Sequence, residues 1–186
     1  MTPNRRLNGF MIRALLAMYL YALFEIILFK FRLIDAKYLW HQLLRSLDSP
    51  GYLSWQLHGG NLTPFKEIAR TLHGQSPHDL MNLVGNIAIF APLGLFLGLL
   101  SKNGGMPLTG TLLASFGLSL LLEGGQAVFA IGTFDVDDLL LNTAGGVIGG
   151  LVFKLCAAYL AAESDGSQAA PAPQLDQAGG VLHAKG

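Results

Sequence analysis

The chain has 186 residues, with 12 Lys and Arg against 12 Asp and Glu, so its formal net charge is zero. Charged residues make up only 13% and apolar ones 52%, where an ordinary soluble domain carries about 25% charged residues; nucleic acid is therefore not an expected partner. The single cysteine, Cys156, excludes a disulfide framework and a CxxC zinc cluster, and 23 glycines without a Gly-X-Y period exclude collagen.

A mean hydropathy of +0.46 points to lipid as the solvent. From Leu80 to Phe153 the only charged residues are Lys102, Glu123, Asp135, Asp137 and Asp138. Apolar runs of about 20 residues are long enough to cross the hydrocarbon. The expected fold is all-α: a polytopic four-transmembrane-helix bundle with spans about 10–31, 78–100, 107–131 and 137–160. A soluble core helix of such length would show a polar face.

In chain order, Arg5, Arg6 and Arg13 precede or enter the first run. Glu25, bulky aromatics and the lack of a small-x-small cleavage site before Lys30 make it an uncleaved span rather than a signal peptide. In the first loop, Leu39, Trp40, Leu43, Leu44 and Leu47 recur at helical spacing opposite Lys37, Gln42 and Arg45. This predicts an interfacial amphipathic helix, with Tyr52 and Trp55 as further anchors. Thr63-Pro64 reads as a cap with proline at the first position of a short helix ending near Gly74. Ser76-Pro77-His78-Asp79 is a second such start.

Lys102-Asn103-Gly104-Gly105 stops the second span and Met106-Pro107 restarts the chain. Asp135, with Asp138 three residues on, opens the fourth span as a cap. The pairs Gly94/Gly98, Gly145/Gly149 and Gly146/Gly150 suit close helix contact. They fit packing within the chain, and a homodimer stays among the alternatives. The membrane domain is expected over 1–162. The tail, 163–186, is rich in Ala, Gly, Gln and Pro and is expected to be disordered. Arg5, Arg6, Lys102 and Lys154 place both termini in the cytoplasm of a multi-pass inner-membrane protein, and the Lys- and Arg-free loop 132–138 outside.

The polar residues within the spans fall at one depth. With a rise of about 1.5 Å per residue, Glu25, Asn86, Glu123 and Asn142 lie roughly 9–14 Å from the same membrane face. Asn82 and Asn86 share a helix face, as do Asp138 and Asn142, and Glu123 and Gln126. An intramembrane acid costs about 2.5–3.5 kcal/mol on insertion scales, so these groups should turn inward and build a polar chamber. Helix glue and capping are the plainer explanation, and they fit Asp135 and Asp138 better than Glu123. The first-loop residues His41, His58, His73 and His78 show no metal-ligand spacing.

Four segments then carry a resemblance: Asn61-Leu62-Thr63-Pro64-Phe65, Asn86 to Gly94 (NIAIFAPLG), Ser119 to Gln126 (SLLLEGGQ) and Phe134 to Gly145 (FDVDDLLLNTAG). In this order, across about Tyr19 to Tyr159, the chain resembles the VanZ-like family of bacterial membrane proteins. That family is named for a protein linked to low-level teicoplanin resistance. The resemblance puts Asn61, Pro64, Phe65, Asn86, Pro92, Glu123, Gln126, Asp135, Asp138 and Asn142 at motif positions. Many members carry an Arg shortly before the acidic pair; here Gly132-Thr133 stands instead, leaving the acidic loop without a local cation.

The resulting chamber is Glu25, Asn61, Asn82, Asn86, Glu123, Gln126, Asp135, Asp137, Asp138 and Asn142. The leading expectation is a non-catalytic envelope protein linked to glycopeptide resistance, with the chamber facing outside. Its partners would be the lipid bilayer and either lipid-linked envelope precursors or a lipoglycopeptide. The alternatives are a membrane enzyme acting on a lipid-linked phosphate or glycan, and a small lipid transporter. In the enzyme reading Glu123 and Asp138 are the catalytic candidates. Asp135, Asp137, Asp138 and Asn142 could then hold Mg²⁺, an oxygen-liganded ion. No other cofactor is expected.

Overall fold

The computed structural model describes residues 3–29, 35–74, 76–101 and 105–168. These form seven helices and no strand: α1 (Pro3–Phe24), α2 (Ala36–Asp48), α3 (Pro50–His58), α4 (Lys66–Gly74), α5 (Pro77–Leu100), α6 (Leu108–Val128) and α7 (Val136–Gln168). Four segments are long and apolar enough to cross a membrane: Gly9–Phe29, Pro77–Leu100, Leu108–Val128 and Val136–Glu163. The protein is an all-α four-helix membrane bundle. Helix α7 continues past the expected end at 160. The expected helix stop at Lys102-Asn103-Gly104, and the tail from residue 169 onward, lie outside the described residues.

Close approach of small residues organises the bundle. The most extensive helix pair is α5 with α7. A Cβ on Gly94 would lie 2.0 Å from the carbonyl oxygen of Gly146, and one on Gly149 would lie 1.8 Å from that of Ala91. The two backbones therefore touch, as small-residue spacing permits in membranes. On the other face of α7, α6 presents a buried polar stripe at four-residue intervals. Thr111 packs on Gly150, Ser115 on Gly146, and Ser119 accepts a hydrogen bond from Asn142 Nδ2 at 3.0 Å.

The first span is held differently. Leu23 and Leu28 join Phe90, Leu93 and Leu122 in the buried apolar core. Tyr19 donates its hydroxyl to the Ile89 carbonyl at 2.7 Å. Beyond Phe24 the span widens into a π-helical turn, Glu25–Phe29. Gln126 Nε2 of α6 donates to the Ile27 carbonyl in that turn at 3.0 Å. Large side chains such as Leu113, Leu121, Leu155 and Tyr159 point outward, where lipid replaces protein contact.

The first loop is mostly helical and folds over one end of the bundle. Asp35 caps α2 by accepting the Lys37 N–H. Ser46 Oγ and Tyr38 Oη donate to the Val128 and Ala130 carbonyls, covering the end of α6. Pro50 starts α3, a helix where the sequence predicts only the aromatic anchors Tyr52 and Trp55. The Arg45 guanidinium lies 4.3 Å from the Tyr52 ring centre and ties α3 to α2. Trp40, Leu44, Leu47 and Trp55 remain exposed on this cap.

Two expected helix starts need correction. Helix α4 begins at Lys66, not at Pro64, because Phe65 adopts a left-handed φ of 64° and breaks the run. Ser76 stands at the start of α5 with Pro77 behind it, yet its side chain makes no capping bond.

Candidate functional site

The end of the bundle under the first loop is shaped by a clasp between two segments more than 70 residues apart. Asn61 pairs with Asp135 as one rung of parallel bridge. The Asn61 N–H donates to the Phe134 carbonyl and the Val136 N–H to the Asn61 carbonyl, each at 2.9 Å. Asn61 Nδ2 also donates to Asp135 Oδ1 at 3.0 Å. Asp135 Oδ1 accepts the Asp137 N–H at 2.8 Å, the bond expected of the cap of α7.

Asp137 completes the clasp. It is only 1% exposed. Its carboxylate accepts the N–H groups of Phe65 (2.5 Å), Glu67 (2.6 Å) and Ile68 (3.3 Å). These are orphan donors at the start of α4, which an N-cap side chain normally satisfies locally. Here α7 supplies the cap in trans. The left-handed turn at Phe65 swings those amides toward it.

Beside the clasp, all four spans wall a cavity of about 360 Å³. Its polar wall is Asn82 and Asn86 from α5, Glu123 and Gln126 from α6, and Asp138 and Asn142 from α7. Its apolar wall is Ile26 and Ile27 of the π-helical turn with Met81 and Ile89 of α5. Gly85 leaves open space on that side, where a Cβ would meet nothing within 4 Å. His78 stands at the rim, 3.6 Å from Asp79.

The polar wall is internally bonded. Asn86 and Asn82 donate their amides to Asp138 Oδ1. Glu123, 2% exposed, accepts the Asp135 N–H at 3.2 Å, linking the cavity to the clasp. Asn142 is 1% exposed, and with Nδ2 given to Ser119 its Oδ1 has no donor.

Of the ten residues grouped from the sequence, six therefore line one cavity. Asn61, Asp135 and Asp137 sit outside the lining, in the clasp. Glu25 opens the π-helical turn and is not a lining residue, so the expected equal depth does not place it with the others. The oxygen set Asp135, Asp137, Asp138 and Asn142 does not gather as a metal shell. Asp137 faces the α4 amides while Asp138 faces Asn86, and among the described residues no three His, Cys, Asp or Glu could share an ion. Sequence reasoning missed Ile26, Ile27, His78, Met81, Gly85 and Ile89 as lining residues. For those of α5 the signal was present, since 78, 81, 85 and 89 follow the three- and four-residue spacing of one helix face.

A family model described as VanZ/LLP1 matches residues 16–157. Protein VanZ of Enterococcus faecium is 36% identical over 139 residues, covering 74% of this chain and 70% of that protein. No solved structure matches.

Proposed function

The chain belongs to the VanZ/LLP1 family, and from that premise we propose that it lowers the access of a teicoplanin-type glycopeptide to its target at the outer face of the cytoplasmic membrane. Both termini are then cytoplasmic, and the capped end of the bundle faces outward. The action is binding and occlusion, with lipid-linked envelope precursors or the lipoglycopeptide itself as the partner. The observation that carries this reading is the cavity walled by all four spans beneath an interfacial cap. The exposed stripe Trp40, Leu44 and Leu47 suits burial at the headgroup level. Among its lining residues there is no Lys or Arg to clamp a phosphate, which favours binding over phosphate chemistry.

Expression in a teicoplanin-susceptible host tests it. A raised inhibitory concentration, with lipid-linked cell-wall precursors unchanged by mass spectrometry, is the expected result. An unchanged inhibitory concentration at confirmed membrane levels rejects the resistance role. A new or depleted precursor species makes the protein an enzyme instead.

A further inference from the structure

We infer that the cavity receives a primary ammonium group, a ligand class that rests on the reading of the cavity as a binding site. Three features of the wall converge on this chemistry. Glu123 and Asp138 supply two carboxyl groups from facing helices, and no Lys or Arg lines the space. Asn142 Oδ1 is buried in the wall and lacks a donor, an arrangement that is costly unless a ligand or water supplies one. An ammonium brings three donors and no acceptor, and so complements an acceptor-rich wall; a phosphate carried on the same molecule would stay outside that wall.

Size and lining narrow the class further. A bare ion would leave most of the 360 Å³ unfilled. The opposite wall of Ile26, Ile27 and Met81 is apolar, so the ammonium should be carried on a larger, partly apolar body. A phospholipid headgroup with a free amine and a soluble amino sugar both present that group.

Two probe pairs separate the sources: phosphatidylethanolamine against its N-acetylated form, and glucosamine against N-acetylglucosamine. Each is titrated onto the full chain in detergent micelles and read by native mass spectrometry. The amine member of one pair should bind at least about tenfold tighter than its acetylated partner; whichever pair responds identifies the source. The preference should fall below about threefold in Glu123→Gln. It should fall equally in Gly85→Leu, which adds bulk on the open side, where a Cβ meets nothing within 4 Å, and places a better helix former in α5. Equal binding within both pairs overturns the inference, as does a preference that survives Gly85→Leu in protein with a normal melting transition. Resistance is scored separately. A raised inhibitory concentration without amine preference removes the ammonium and leaves the proposed function, and the converse result removes the function and leaves the ammonium.

Discussion

Asp137 of α7 caps α4 across 70 residues of sequence, its carboxylate holding the Glu67 N–H at 2.6 Å. A helix N-terminus is thus secured by a side chain from another helix, and the first loop becomes part of the bundle. The same carboxylate takes Asn61 Nδ2, so cap and bridge are joined through one buried acid.

Replacing Asp137 by Ala would strand the Phe65, Glu67 and Ile68 amides together. Each buried donor left unpaired costs about 1–3 kcal/mol, although water reaching the loop will recover part of it. The expected result is release of residues 61–74, seen as faster amide exchange there, with the spans still protected. Unchanged exchange in that segment would show that the clasp is not what holds the loop.

How far the sequence spoke for this architecture differs by element. The spans were legible because uncharged runs of that length have few soluble solutions. The heights of Asn86, Glu123 and Asn142 were legible because helical rise is constant. The face each residue takes was not: Glu25 opens the π-helical turn and is not a lining residue, while Ile26 and Ile27 of the same turn are. Asp137 reads locally as a first-turn acid. Its role depends on a left-handed Phe65 72 residues earlier, which no local pattern announces. Helix α3 was hidden because its nine residues show no amphipathic period.

Glycine contacts give a second prediction. Gly94→Ala and Gly149→Ala place a Cβ within about 2 Å of backbone oxygen on the facing helix, and backbone cannot step aside as a flexible side chain can. Helices α5 and α7 must separate, and each variant should lose at least about 2 kcal/mol, at the upper range for overpacking. Gly117→Ala faces open space and should gain about 0.5–1 kcal/mol from helix propensity. Thermal melting in one detergent compares all three, and similar melting temperatures would refute the tight α5–α7 contact.

Topology yields a third. With Cys156 replaced by Ala, cysteines at Ser54 and Thr133 should react with an impermeant maleimide from outside the cell, and one at Glu163 only after permeabilisation. Thr133 is exposed and suits the label. Its neighbour Gly132 does not, since a Cβ there would lie 2.0 Å from Gln126 Oε1. Labelling of Ser54 and Thr133 from the cytoplasmic side alone would invert the proposed orientation.

The sharpest prediction separates a working cavity from structural glue. Glu123→Gln keeps the shape of the side chain and an oxygen for the Asp135 N–H, while removing the titratable proton and the negative charge. A neutral amide is also cheaper to insert than an acid, so the variant should reach the membrane at normal levels. Asp138→Asn likewise keeps an acceptor for Asn86, and loss of the favourable charge in the first turn of α7 costs at most about 1 kcal/mol. Neither change should disturb folding, and melting curves check that. The teicoplanin inhibitory concentration, compared at matched membrane levels, should nevertheless fall back to that of cells lacking the protein for both variants. Full resistance in both would mean that these carboxyl groups serve packing and capping alone, and would end the case for the cavity as the seat of function.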